Sequence, residues 1–167
     1  MLEALGRNLQ NMRLAKGVSL SKLASDAGLA KSNLSRLEQG SGNPTVDTIW
    51  RLAVQLNVPF SNLIAPVETP FGEDGVQFKL IEQGTDSTKV DAYWMSMAPR
   101  TRRVAEAHSS GSTESITVIS GQLEITTEGR TTTLKAGDKF SFSADKEHEY
   151  RSRELWSTLL LTIVYAD

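Results

Sequence analysis

The stretch from residue 19 to residue 40, SLSKLASDAGLAKSNLSRLEQG, constrains the fold of this chain more than any other segment. Ser19 is a favoured helix N-cap, and apolar residues follow it at helical spacing. These residues are Leu20, Leu23, Ala24 and Ala27. Gly28 tolerates the positive φ of a turn, and a second short helix is predicted beyond it, with Leu34 and Leu37 facing inward. Two helices joined by a short turn that contains glycine form a helix-turn-helix motif.

The outer side of the second helix carries polar residues suited to DNA, namely Lys31, Ser32, Asn33 and Arg36. Side chains of these types reach base edges and adjacent phosphates in a major groove. A further set of residues is predicted to contact the DNA backbone and so to position the protein on it. Such contacts give affinity without sequence information. That set is Arg13, Lys16, Lys22, Asn43 and Thr45. The motif and these residues together predict a DNA-binding module.

Residues 5–64 resemble the Xre/Cro/phage-repressor family of five-helix DNA-binding domains. The segment 43–64 supports the resemblance, because Thr45 can cap a helix that carries an apolar stripe. The stripe consists of Val46, Ile49, Trp50, Ala53 and Leu56. In phage repressors an Arg of the first helix pairs with a Glu just after the recognition helix. Arg13 and Glu38 stand at those positions, so the resemblance implies a structural ion pair for Arg13 rather than a DNA contact.

Charge is unevenly distributed along the 167 residues, whose net charge is −2. Residues 1–65 carry seven Lys or Arg against four Asp or Glu, a net charge of +3. The remaining residues carry eleven basic against sixteen acidic side chains, a net charge of −5. A basic N-terminal region followed by an acidic C-terminal region suits a protein that binds phosphate groups through one region only. The length allows one or two domains, and the change of pattern along the chain favours two.

Residues 66–75 contain two prolines, two glycines and three acidic residues, which predicts a linker between a domain at 1–65 and a domain at 76–167. Beyond the linker, the apolar period changes from 3.6 to 2, as in Val76, Phe78 and Leu80. Six further segments are predicted strands: Lys89–Met97, Ser115–Ser120, Gln122–Glu128, Thr131–Leu134, Phe140–Phe142 and Thr158–Val164. Short strands with glycine turns predict a sandwich or small barrel. The last strand is apolar on both faces, which predicts barrel packing on one side and a partner subunit on the other.

Residues 107–121 and 136–152 resemble the two cupin motifs. His108, Glu114 and Gly121 fit the first motif, in which Ser110 replaces a second histidine. Gly137 and His148 fit the second motif, in which Ser143 replaces the usual proline. The resemblance implies a C-terminal all-β cupin, a double-stranded β-helix barrel, behind the five-helix domain. The fold class predicted for the whole chain is therefore multidomain α + β.

Both histidines of the chain fall on cupin ligand positions, and two interpretations of the site remain open. In one, His108, Glu114 and His148 bind a divalent metal, since two histidines and a carboxylate suit Fe(II), Mn(II), Ni(II) or Zn(II). In the other, they line a pocket for an organic effector without metal. The predicted pocket residues are His108, Ser110, Glu114, His148, Tyr93 and Met95. Arg100, Arg102 and Arg103 either meet an oxyanion of that effector or form a solvated loop, and we favour the loop.

These features predict a regulator of transcription that binds operator DNA as a homodimer and responds to a small molecule through its cupin domain. The alternative is a mononuclear-metal cupin enzyme with a helix-turn-helix head, similar to hydroxypropylphosphonate epoxidase. Five residues separate His108 from Glu114, as in the ordinary cupin motif and unlike that enzyme, so no enzymatic activity is predicted. An accessory DNA-binding protein with an inert barrel is a third possibility. The chain has no cysteine and no long apolar run, so we expect a cytoplasmic protein.

Overall fold

The computed structural model describes residues 2–65, 71–84 and 89–166. The chain divides into two compact units, with the boundary between residues 68 and 69. The first unit holds five helices: α1 (Leu2–Ala15), α2 (Leu20–Asp26), α3 (Lys31–Glu38), α4 (Val46–Leu56) and α5 (Phe60–Ile64). No helix in the described part of the chain is long and apolar enough to cross a membrane. The five predicted helices are confirmed.

Side-chain caps determine where two of these helices begin. The hydroxyl of Ser19 accepts a hydrogen bond from the backbone N–H of Lys22 at 3.1 Å, and Thr45 accepts one from Thr48 at 3.1 Å. Ala30 caps α3 without any side-chain hydrogen bond. A missing cap of this kind typically costs about 1 kcal/mol, so tertiary packing must hold the start of α3.

The core of the helical unit contains buried leucines from all five helices, and α1 passes close to the end of α3. The fully buried leucines of this unit include Leu9, Leu23, Leu34, Leu52, Leu56 and Leu63. Gly6 allows the close crossing, because a Cβ there would lie 2.5 Å from the carbonyl oxygen of Leu37. The rings of Trp50 and Phe60 stack with centroids 4.1 Å apart and join α4 to α5. The recognition helix is therefore held from its buried side.

The second unit consists of two antiparallel sheets that face each other in a sandwich. Its strands are β1 (Phe71–Glu73), β2 (Val76–Gln83), β3 (Val90–Met97), β4 (Arg102–Ala105), β5 (Thr113–Ser120), β6 (Gln122–Thr127), β7 (Arg130–Lys135), β8 (Lys139–Ser143), β9 (His148–Ser152) and β10 (Ser157–Val164). The first sheet has the order β1-β2-β3-β10-β5-β8, and the second has the order β4-β9-β6-β7.

The predicted linker at 66–75 is too long. Residues 71–73 form strand β1, which pairs with β2 in the first sheet, because the turn at Asp74 and Gly75 folds the chain back on itself. Residues 66–70 of the predicted linker lie outside the described residues. The described part of the linker therefore belongs to the cupin unit.

Arg102 and Arg103 lie on a strand rather than in the expected solvated loop, whereas Arg100 is exposed in the turn before that strand and forms an ion pair with Glu154. Arg102–Ala105 forms β4, which pairs with β9 at the edge of the second sheet. Arg102 contacts the carboxylate of Glu149 at 2.7 Å, and Arg103 is buried with its guanidinium 5.2 Å from the ring centroid of Phe78. Strand pairing and these contacts engage Arg102 and Arg103, so the loop prediction was wrong for these two residues.

Inward and outward residues alternate along the sandwich strands as predicted. In β10, every second residue from Ser157 to Ile163 is buried, while the residues between them are half-buried. Within this chain β10 is therefore covered on one face only. The apolar centre of the sandwich includes Met95, Met97, Leu123, Ile125 and Leu159.

Candidate nucleic-acid interface and candidate metal centre

The recognition helix α3 turns its polar residues outward. Leu34 and Leu37 are 0% and 7% exposed, so the inner side of α3 is buried in the helical core. The four residues predicted to contact bases are all exposed, and they are Lys31, Ser32, Asn33 and Arg36. The helix therefore has one anchored side and one polar side that is open to a ligand.

A cleft beside α3 brings several predicted DNA-contacting residues to one opening. Asn33 and Arg36 line it from α3, while Asn43 and Thr45 line it from the loop before α4. Lys16 and Lys22 are also exposed but do not line this cleft. Lys22 forms an ion pair with Asp26 at 2.6 Å on the surface of α2.

Arg13 is engaged in the ion pair that the family resemblance implies. Its Nε and Nη2 atoms donate to the two carboxylate oxygens of Glu38 at 2.6 and 2.8 Å, and Nη1 donates to the carbonyl of Val18 at 2.9 Å. The hydrogen bond to Glu38 raises the pKa of Arg13 above its ordinary value despite partial burial. Because both side chains are buried, we withdraw Arg13 from the predicted DNA-contacting set.

Three buried side chains meet at one end of the cupin interior. His108 lies in the loop after β4, Glu114 on β5 and His148 at the start of β9. Oε2 of Glu114 lies 3.2 Å from Nε2 of His108 and 3.6 Å from Nε2 of His148. The ligand atoms of the three residues all lie within 4.8 Å of one another. We call these residues the trio.

The hydrogen bonds of the trio define which atoms it offers to a ligand. Nδ1 of His148 lies 2.9 Å from the carbonyl oxygen of Lys146, so it must carry the proton and donate. Nε2 of the neutral ring therefore holds a lone pair, and among the described residues this buried atom has no hydrogen-bond partner. Burial lowers the pKa of His148, and the charge of Glu114 opposes that shift only in part.

Glu114 is held as a carboxylate. Burial alone would raise its pKa, but the hydrogen bond with His108, the two imidazoles and the hydroxyl of Tyr150 together lower it below its usual value. Two imidazoles and one carboxylate form the donor set that several divalent metals prefer. The unpartnered Nε2 of His148 points to a ligand at this position, so the residues present fit a metal ion.

The structure places two further polar residues beside the trio, and the sequence alone did not assign either of them to it. The hydroxyl of Tyr150 donates to Oε1 of Glu114, and Arg103 stands directly opposite Tyr150 in the pairing of β4 with β9. A signal for Tyr150 did exist in the sequence. It lies two residues after His148, and residues two apart on a strand face the same side.

The structure does not bring the other predicted pocket residues into the trio. Ser110 is exposed in a turn, because the chain between β4 and β5 is a loop and strand alternation does not carry Ser110 inward. Tyr93 and Met95 are buried on β3, which β10 separates from β5. The hydroxyl of Tyr93 donates to Asp91 at 2.7 Å rather than to the trio.

Comparisons with known proteins identify a known domain family for each of the two units. The helix-turn-helix family model matches residues 9–63, and the cupin domain model matches residues 93–164. The HTH-type transcriptional regulator SutR of Escherichia coli is 33% identical over 154 residues, which cover 89% of this chain and 86% of SutR. The chain belongs to the family of helix-turn-helix transcriptional regulators with a cupin domain.

Other relatives of this regulator span most of its length. The HTH-type transcriptional regulator PuuR of Escherichia coli is 24% identical over 159 residues, covering 87% of this chain and 85% of PuuR. The crystal structure of an HTH_3 family transcriptional regulator from Vibrio cholerae superposes with a TM-score of 0.90 at 22% identity, covering 100% and 98% of the two chains. These comparisons confirm the predicted fold class of a five-helix unit followed by a cupin.

Proposed function

We propose that this regulator binds a specific DNA operator through α3 and responds to a small-molecule effector through its cupin unit. The observation that carries the proposal is the division of α3 into a buried leucine side and an exposed polar side. SutR and PuuR are transcriptional regulators, and each is similar to this chain over most of its length. This similarity favours a sensory role for the trio over a catalytic one. We therefore assign no reaction to the cupin unit.

The proposed DNA interface is the exposed side of α3 together with the adjacent cleft. Arg36 and Asn33 have the donor and acceptor groups that recognise guanine and adenine in a major groove. Asn43 and Thr45 lie at the same opening and suit contacts to phosphate, as do Lys16 and Lys22 elsewhere on the exposed surface. The net charge of +3 on residues 1–65 supports binding to a polyanion.

Substitution of Arg36 tests this interface. If Arg36 makes a bidentate base contact, Arg36→Ala should weaken binding to the preferred sequence by about 1–3 kcal/mol and leave binding to a scrambled duplex nearly unchanged. Fluorescence anisotropy on both duplexes at one salt concentration measures the difference. Lys22→Ala is the matched control, since loss of a phosphate contact should weaken both duplexes equally. Equal weakening of both duplexes by Arg36→Ala would contradict a base contact.

We propose further that the regulator acts as a homodimer through the outer face of its larger sheet. Dimers of this motif place two recognition helices about 34 Å apart on the DNA. The outward residues of β3, β10 and β5, all within the described chain, are uncharged. They include Val90, Ala92, Trp94, Ser96, Thr158, Leu160, Thr162, Val164, Thr113, Ser115, Thr117 and the exposed Ile119. Two-fold symmetry sets a surface against itself, so a face without charge avoids like-charge repulsion.

The trio is the proposed ligand site of the cupin unit, and its donor set favours a divalent metal there. His108, Glu114 and His148 would hold the ion. A bound metal would supply Lewis acidity and open coordination positions for an oxygen or nitrogen atom of an effector. The buried guanidinium of Arg103 lies on the strand beside His148 and is suited to an anionic group of that effector.

Elemental analysis of protein purified without a histidine tag tests the metal site. We expect a stoichiometric divalent metal in the wild type and its loss in His148→Ala, because that variant removes the unpartnered Nε2. Native mass spectrometry of the same sample detects any organic ligand. A dimer that carries an organic mass and no metal would replace the metal interpretation with the pocket interpretation.

A further inference from the structure

We infer that Tyr150 is a positioning residue that determines which oxygen of Glu114 is offered to a metal. The inference rests on the proposed metal site at the trio. It concerns a residue outside the three expected ligands, and its basis is the hydrogen-bonding geometry of Glu114.

The two oxygens of Glu114 have different partners. The hydroxyl of Tyr150 donates to Oε1, whereas Oε2 is the atom that faces Nε2 of both His108 and His148. The hydrogen bond from Tyr150 occupies Oε1, whereas the contacts of Oε2 are with the two imidazoles that would share the metal, so Oε2 is the ligand atom. Glu114 is therefore set to bind a metal through one oxygen, which leaves more coordination positions open than a two-oxygen contact.

Packing keeps Tyr150 in this role. The side chain is buried on β9 between the neighbouring strands β4 and β6, where its pairing partners are Arg103 and Ile125. Its ring meets the ring of His148 edge-on, with centroids 5.3 Å apart and an interplanar angle of 75°. One residue thus orients a carboxylate ligand by a hydrogen bond and an imidazole ligand by contact.

Outer groups of this kind raise metal affinity by holding ligands in place before the metal arrives, and their loss typically costs about 10–100-fold. Glu114 is 1% exposed, so water has little access to replace the lost hydroxyl. In Tyr150→Phe the ring remains in place and only the hydrogen bond to Oε1 disappears. The variant therefore separates the positioning role from packing.

The chain contains a matched control for this substitution. The hydroxyl of Tyr93 donates to the buried carboxylate of Asp91 at 2.7 Å, and that carboxylate also accepts from Tyr165 at 2.9 Å. Tyr93→Phe removes a buried tyrosine hydroxyl from a buried carboxylate that is not part of the trio. General effects of losing such a hydroxyl will appear in both variants.

The test is a Co(II) titration of the chelator-treated, full-length wild type, Tyr150→Phe and Tyr93→Phe, followed by visible absorption. We expect Tyr150→Phe to weaken Co(II) binding by about 10–100-fold and to change the ligand-field spectrum. Tyr93→Phe should leave affinity and spectrum unchanged. Circular dichroism of the metal-free proteins verifies the fold of each variant.

The possible failures are distinguishable. No Co(II) binding by the wild type would overturn the proposed metal site and this inference with it. Tight wild-type binding with the same affinity and spectrum in Tyr150→Phe would overturn the inference alone, as would equal losses in both variants. Infrared difference spectra of the Co(II)-loaded wild type give a second test that needs no variant. A carboxylate signal typical of two-oxygen binding would overturn the inference.

Discussion

Arg13 illustrates how burial decides the role of a single charged residue. Its guanidinium donates two hydrogen bonds to the carboxylate of Glu38, whose side chain is only 5% exposed. Removal of one partner from a buried pair leaves the other charge uncompensated and typically costs about 3–5 kcal/mol. The pair therefore belongs to the structure of the helical unit and ties α1 to the end of α3.

Arg13→Ala should lower the free energy of unfolding of the helical unit by about 3–5 kcal/mol. Urea denaturation followed by the helical signal of circular dichroism measures this change. Arg7→Ala is the control, because Arg7 and Glu3 form an exposed pair at 3.8 Å that is worth less than about 1 kcal/mol. Equal changes in the two variants would refute a stabilising role for the buried pair.

The trio could be predicted from motif spacing, but its surroundings could not. His108, Glu114 and His148 stand at positions that the cupin resemblance specifies. The contact between Tyr150 and Glu114 instead joins residues 36 apart on different sheets, so it depends on how the two sheets pack. Ser110 was predicted from the same motif, at the position of the second histidine, but it lies exposed in the turn between β4 and β5. Local spacing identifies ligands that share a motif, whereas partners across the sandwich require the fold.

At the scale of whole elements, the boundaries of α2 and α4 were predictable because local signals in the sequence mark them. The caps Ser19 and Thr45 and the turn at Gly28 mark the boundaries of α2 and α4 in the sequence itself. Strands β4 and β9 carried no such signal. Arg102 and Glu149 are charged outward residues of a paired edge, and a short run with such residues resembles a loop until its partner strand is known.

The outer face of the larger sheet gives a prediction at this scale. Leu160 lies at its centre, paired with Trp94 on β3 and Thr117 on β5. Leu160→Lys should convert a dimer to a monomer, because two-fold symmetry would bring the new charges close together. Size-exclusion chromatography with light scattering measures the mass.

Thr133→Lys adds the same charge at an exposed position of β7, which belongs to the other sheet, and should leave the dimer intact. A wild-type protein that is monomeric at micromolar concentration, or a Leu160→Lys variant that remains dimeric, would contradict this assignment of the dimer face.

For the whole molecule, we propose that the helical unit binds DNA and that the cupin unit senses a ligand. The helical unit has a net positive charge and an exposed polar helix face, while the cupin unit has a buried ligand-type site. A ligand at the trio can shift DNA binding only by its different affinity for two states of the protein. The size of the response therefore depends on how much the site changes between those states.

The most direct measurement is selection of bound sequences from a randomised duplex library with the full-length protein. We expect an enriched sequence with two-fold symmetry and half-sites about 10–10.5 base pairs apart, centre to centre, or a multiple of that spacing. Arg36→Ala should lose enrichment at specific positions within each half-site. Bound duplexes without any common sequence would contradict recognition of an operator by α3.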